Sequence, residues 1–464
     1  MTFKKFIKFP AVFAMLILVF SLLLVTVNAL PVSPMSNNLH ESAKVLLKQG
    51  DYFSLAENNN TTLYATYATV DNCTNAIMLN IVGHNSDLGL KGAFGGYFAN
   101  VSEDETSNVI NFANTIDTSI SDNDYALEYS RYWHGWKVWL KPLLFFFNLS
   151  QIQFIVFVLM STLIFVAATM LARLHSCAAG VIFGASYAFL LYPICCMSLS
   201  FASSFLLSIL MSIRVLYVFG KHKRQIKQQA SKASTFTHTH THTLTHPNQA
   251  PAWGWQIEFF VVGSLIAFLD FLCNPIITLA VPLILLVFLQ FRMNLAKNLK
   301  RVISNSIAWT CGYGFTWIIK WPLAQLLTGE SSISEGLRKV NQRTANTESL
   351  GPLDILKQQV DMLFPSKLLM LLTILLLIGI ICYALIKRRR QVKQVLHLIL
   401  PILFIALYPY MWYMVALEHS EVHYWFTYRN QLVTVLALGL SVLLVYKKSK
   451  NQSIMQTKRT KGFR

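Results

Sequence analysis

Charged side chains are scarce in this 464-residue chain: Asp, Glu, Lys and Arg together make up 13%, where soluble domains carry about 25%. Hydrophobic residues make up 54% and mean hydropathy is +0.46. A water-soluble fold is therefore excluded, and an all-α polytopic membrane protein is expected. Nucleotide fingerprints are missing as well: no P-loop and no dinucleotide glycine motif is present, which disfavours a cytoplasmic nucleotide-sugar site. Cysteine is sparse where a disulfide framework would need it. Cys73 alone lies in the first polar stretch, whereas Cys177, Cys195, Cys196, Cys273, Cys311 and Cys382 lie in or beside apolar runs.

Acidic charge is scarce outside one region. Residues 31–130 hold 12 acidic and 3 basic side chains, a net −9, and the remainder holds 9 and 36, a net +27. The basic residues cluster in short segments between apolar runs, as the positive-inside rule describes. No RNA- or DNA-binding motif accompanies them, so no nucleic-acid partner is expected.

The first apolar run, 10–30, follows Lys4, Lys5 and Lys8 and is long enough to cross a bilayer. Its length favours an uncleaved first helix over a signal peptide. Further apolar segments recur at about 143–172, 177–197, 200–219, 256–273, 275–291, 303–321, 367–386, 395–417 and 430–446, for ten expected spans. Alternating them puts Lys221 to Lys227, Arg292 to Arg301, Lys387 to Arg390 and Lys447 to Lys450 on one side with both termini, the cytoplasm of a cell membrane. Breaks are required near Pro193 to Ser200 and near Cys273 to Pro275. The long connection 220–255 holds His238, His240, His242 and His246, which reads as a low-complexity linker.

Three regions then face outward: 31–142, 322–366 and 418–429. In the first, Asp71 precedes an apolar stretch too short to span, expected as a helix along the outer interface with Asp71 as its N-cap or as a base. The run Glu128-Tyr129-Ser130-Arg131-Tyr132-Trp133-His134-Gly135-Trp136 joins an acid, a cation and a base to an aromatic belt. On a helix, Glu128, Arg131 and His134 share one face. Asp270, inside an apolar run, needs a cavity or a partner, with Arg131, His134, Lys320 and Arg429 as candidates. In the second region Ile333, Leu337 and Val340 recur at helical spacing, and Arg338, Lys339 and Arg343 can hold a phosphate. The third holds His419, His423 and Arg429.

The phrases Glu128 to Gly135, Leu269 to Pro275 and His419 to Arg429 resemble a group of polytopic proteins of Gram-positive bacteria, and the plan resembles the integral-membrane GT-C glycosyltransferases. That resemblance implies a helical bundle with interfacial helices in the first outer loop. It also implies a polyprenyl-phosphate sugar donor and an envelope glycan, lipid or protein acceptor. Asp71 corresponds to the acidic residue of the first outer loop, with Glu128 as its rival and Asp270 supporting the same cavity. Where many GT-C enzymes have two adjacent acids, Asn72 follows Asp71. The cofactor is left open, with a divalent metal as the candidate and no ligand set assigned. Arg131, Trp133, His134, Lys339, Arg343, His419, His423 and Arg429 are the expected substrate-binding residues. A non-catalytic scaffold or sensor, or a transporter of lipid-linked glycans, are the other classes the sequence allows.

Single cysteines at positions 71, 128 and 423 are expected to react with an impermeant maleimide in intact cells. Labelling of any one only after permeabilisation would rule out a shared outer site.

Overall fold

The computed structural model describes residues 8–55, 67–84, 88–101, 107–116, 118, 120, 125–126, 129–235, 254–290, 295–345, 349–364, 366–387 and 392–461. Glu128 and the four-histidine stretch of the long linker lie outside the described residues.

Helix dominates. Five helical stretches among the described residues are long and apolar enough to cross a membrane: Lys8–Asn28, Leu149–Leu174, Leu199–Gln229, Leu396–Val415 and Tyr424–Tyr446. Cys177–Phe189, Trp255–Leu269 and Ile276–Gln290 are shorter apolar helices packed among them. Local sequence explains where several begin. Asn148 and Gln151 form a reciprocal capping box at the start of Leu149–Leu174. The expected break near Pro193 falls at Leu191, whose φ of 49° ends one helix before Pro193 opens the short helix Tyr192–Met197.

Helices Trp255–Leu269 and Leu295–Thr328 approach backbone to backbone. A Cβ at Gly263 would stand 2.1 Å from the Trp309 carbonyl oxygen, and one at Gly312 would stand 2.0 Å from that of Phe260. Ser264 Oγ donates to the Gly312 carbonyl (3.2 Å) across the same seam. Only glycine fits at both places, so the seam fixes how helix Leu295–Thr328 leads into segment 322–366.

The described residues of segment 31–142 form a small folded layer of helices with two short antiparallel strand pairs, β1 (Tyr52–Ser54) with β2 (Thr69–Asp71) and β3 (Phe98–Ala99) with β4 (Tyr125–Ala126). Its central helix, Asn72–His84, was expected to lie open on the lipid interface; instead Asn75 to Val82 are all buried by protein. Its polar side chains explain the difference, because they bond inward. Asn80 exchanges hydrogen bonds with both backbone groups of Ala99 (2.8 and 2.9 Å), and Asn75 bonds Met197 O and Leu199 N of the hairpin below (2.9 Å each).

Replacing Gly263 or Gly312 by Ala is expected to destabilise the protein by about 1–3 kcal/mol through overpacking. Thermal unfolding in detergent measures it; an unchanged midpoint would show that the two helices have room to separate.

Candidate functional site

Segments 31–142, 322–366 and 418–429 meet around one polar chamber of about 530 Å³. The first contributes Asp71, Arg131 and Tyr132, the second Glu335, Arg338, Lys339 and Arg343, and the third His419 and His423. Phe271 and Cys273, between two apolar helices, complete the wall.

Asp71 is placed from both sides of its own backbone. Its residue pairs with Tyr52 in the β1–β2 ladder, and its N–H donates to Ser198 Oγ (2.9 Å). Its Oδ1 accepts the Thr74 N–H (2.9 Å), the N-cap geometry the sequence offered. The residue is 4% exposed, and burial raises its carboxyl above the ordinary carboxylate range despite the Thr74 bonds. Capping and lining the chamber are thus functions of one side chain.

The second segment supplies helix Ser332–Thr344, turned in by Gly329 at φ 80°. Residues 335, 338/339 and 342/343 recur at helical spacing opposite the exposed Ile333, Leu337 and Val340. Glu335 pairs with Arg131 and accepts Ser130 Oγ (2.7 Å), while at the far end Arg343 pairs with Glu418 (2.8 Å). Arg131 also lies over the rings of Tyr129 and Tyr132, at 5.0 and 4.7 Å. Arg338, between these two pairs, has no hydrogen-bond or ion-pair partner among the described residues.

In the third segment His419 donates Nε2–H to the Leu272 carbonyl (3.0 Å), which assigns its tautomer. Its Nδ1 is then a lone pair, buried and without a partner among the described residues. Burial, then His423 and Arg343, push its pKa well below the usual value. The His423 imidazole, 4.8 Å away between ring centroids, is lowered to about 4 by burial and Arg343. Both are neutral at pH 7, so they present acceptors rather than cations.

Other expected site residues are placed elsewhere. Arg131 and His134 do not lie on a shared helical face: the run is a turn, and His134 takes φ 56° beneath Gly96, where a Cβ would come within 2.1 Å of the imidazole. Trp133 donates to Thr316 O (2.7 Å) and stays with the membrane helices. Asp270 has no cationic partner among the described residues; it accepts Ser204 Oγ (3.1 Å) and Cys273 N–H (2.9 Å), tying the break between two apolar helices. Arg429 bonds the carbonyls of Trp425 (3.0 Å) and Tyr67 (3.2 Å) and does not line the chamber. Two buried lysines do similar work. Lys137 bonds Gly92 O and Ala93 O (3.1 and 3.2 Å) and Lys320 bonds Phe94 O, so both cap the C-terminus of the short helix Gly89–Gly95.

Beside the chamber runs an apolar groove of about 470 Å³ between helices Leu295–Thr328 and Ser332–Thr344 and the segment 412–416. Arg131, Tyr132, Lys339 and Arg343 line both spaces, so the cations stand at the junction of a polar and an apolar compartment. Glu335 was missed by sequence reasoning, although the polar face opposite Ile333, Leu337 and Val340 contains it beside the cations named there. No group of three or more His, Cys, Asp or Glu side chains among the described residues is placed to hold a metal ion. The chain matches no protein-family model, no curated protein and no solved structure.

Removing Glu335 takes an ion-pair partner from Arg131, which is 8% exposed at its side chain, whereas Arg343 and Glu418 are both more exposed. Glu335→Ala is expected to cost about 3 kcal/mol and Glu418→Ala about 1 kcal/mol. Denaturant unfolding in detergent compares them; equal losses would mean that helix Ser332–Thr344 is not anchored chiefly at Arg131.

Proposed function

We propose that this protein is an outer-face membrane glycosyltransferase. It moves a sugar from a polyprenyl-phosphate donor to an envelope glycan, lipid or protein acceptor. Ten membrane spans with both termini in the cytoplasm of the cell membrane, as the charge pattern has it, put the chamber on the outer side. The supporting observation is that Asp71 and the cations of helix Ser332–Thr344 line one chamber, which adjoins an apolar groove across the same cations. An anionic head carried on a lipid meets Arg338, Lys339 and Arg343 where the membrane boundary falls.

In this reading Asp71 takes the proton of an acceptor hydroxyl. The hydroxyl oxygen then bonds the sugar's anomeric carbon as the bond from that carbon to the phosphate oxygen breaks. The bonding pair leaves with the polyprenyl phosphate, and Arg338 and Lys339 stabilise its charge. A carboxyl held above its ordinary range suits a base working near neutral pH. His419 Nδ1 and His423 are acceptors for sugar or acceptor hydroxyls.

Asn caps a helix about as well as Asp, so Asp71→Asn separates the base from the cap. Envelope glycan composition is measured in a deletion strain complemented with wild type, Asp71→Asn or Arg338→Ala at matched membrane levels. One sugar is expected to be lost on deletion and restored by wild type, with transfer lowered about 10²- to 10⁴-fold by Asp71→Asn and weakened by Arg338→Ala. A glycan profile unchanged across all strains would contradict the reading and favour a scaffold or a transporter.

A further inference from the structure

The two sides of the chamber differ in what they adjoin. Arg131, Tyr132, Lys339 and Arg343 are shared with the apolar groove, whereas Asp71 and its neighbours Tyr52, Thr74, Asn108 and Trp425 line the chamber alone. Tyr52 is the cross-strand partner of Asp71 in the β1–β2 ladder, and residues directly opposed across an antiparallel pair project their side chains to one face about 5 Å apart. The Tyr52 ring therefore flanks the Asp71 carboxyl. Trp425 meets that ring edge to face, with centroids 5.7 Å apart. Tyr52 is 61% exposed, so the two rings stand where the chamber opens to its surroundings. Aromatics of an ordinary belt answer only to headgroup depth. These two are instead set beside the carboxyl by strand pairing and ring contact.

An acceptor whose hydroxyl reaches Asp71 from this side rests against both rings. A lipid acceptor would come from the groove instead, and its head would arrive among the cations that the donor's phosphate needs. A peptide acceptor is held largely through its backbone, and the N–H groups of Asp71, Cys73 and Thr74 are already given to Ser198 Oγ, Asp51 O and Asp71 Oδ1 (2.9 Å each). A sugar ring suits the wall better. The C–H groups of its apolar face carry slight positive charge and meet the negative face of an aromatic ring. The hydroxyls on its rim meet the carboxyl, amide and hydroxyl of Asp71, Asn108 and Thr74. We propose that Tyr52 and Trp425 form the acceptor subsite and that the acceptor is a carbohydrate, one of its rings held against theirs with a hydroxyl at Asp71. The inference rests on the glycosyltransferase reading for its chemistry: that hydroxyl gives its proton to Asp71, its oxygen bonds the anomeric carbon of the donor sugar, and the polyprenyl phosphate leaves with the bonding pair. Donor and acceptor then approach from opposite sides of the chamber, the donor past the shared cations and the acceptor past Tyr52.

The test uses the full chain in detergent micelles, immobilised, with envelope polysaccharide purified from a strain lacking the protein as the probe. Wild type is expected to bind it saturably. Tyr52→Ala with Trp425→Ala is expected to bind about tenfold more weakly, the effect of losing two ring contacts. Tyr52→Phe with Trp425→Phe keeps a ring at each position and is expected to lose less than the alanine pair; thermal unfolding checks that both variants fold. Absence of saturable binding by wild type would overturn the assignment without any variant. Binding by the alanine pair equal to wild type would overturn it too, as would equal losses in the two pairs. In the same preparation, transfer of label from the parent strain's radiolabelled lipid extract is followed into the polysaccharide, the lipid extract and the delipidated membrane protein of the deletion strain. Ring-dependent polysaccharide binding without transfer into any fraction keeps the carbohydrate site and removes the glycosyltransferase reading. Label entering the lipid or protein fraction and not the polysaccharide does the reverse.

Discussion

The ion pair between Arg131 and Glu335 joins residues 204 positions apart and brings segment 322–366 against segment 31–142. Everything the chamber offers depends on that junction. Helix Ser332–Thr344 has too little buried apolar surface to hold itself down, since Ser332 and Gly336 are its buried residues and its apolar stripe is exposed. Charge at its two ends does that work instead, at Glu335 and at Arg343. Between those anchors Arg338 and Lys339 line the chamber, so the pairs that fix the helix also set where its cations stand.

The same physical rule sorts the remaining polar residues. A group removed from water is stabilised by a partner, and many among the described residues find one in the backbone. Asn75, Asn80 and Asn111 fasten segment 31–142 through carbonyls and amides. Lys137 and Lys320 close the end of a helix, and Arg429 ties Tyr67 to Trp425. Of the groups left after these, the Asp71 carboxyl, the exposed Arg338 guanidinium and the buried Nδ1 of His419 belong to residues that line the chamber. Function is read from that remainder rather than from charge as such.

Much of this was legible in the sequence. Ile333, Leu337 and Val340 announced a surface helix by spacing, Asp71 announced a cap before an apolar run, and the scarcity of charge announced a membrane. Other features depend on contacts between distant segments and carry no local signal. Arg131 and His134 sit in a turn because His134 fits beneath Gly96 in a left-handed conformation, which helical spacing does not foretell. Asp270 resembled an intramembrane charge awaiting a cation, yet Ser204 and its own following turn satisfy it. Helix Asn72–His84 looked short enough to float at an interface, and its asparagines bury it instead.

A structure of the protein in lipid nanodiscs loaded with a polyprenyl phosphate tests the central claim most directly. The account predicts phosphate density inside the chamber, against Arg338 and Lys339 and across from Asp71. Phosphate bound outside the chamber, with Arg338 left unoccupied, would contradict it.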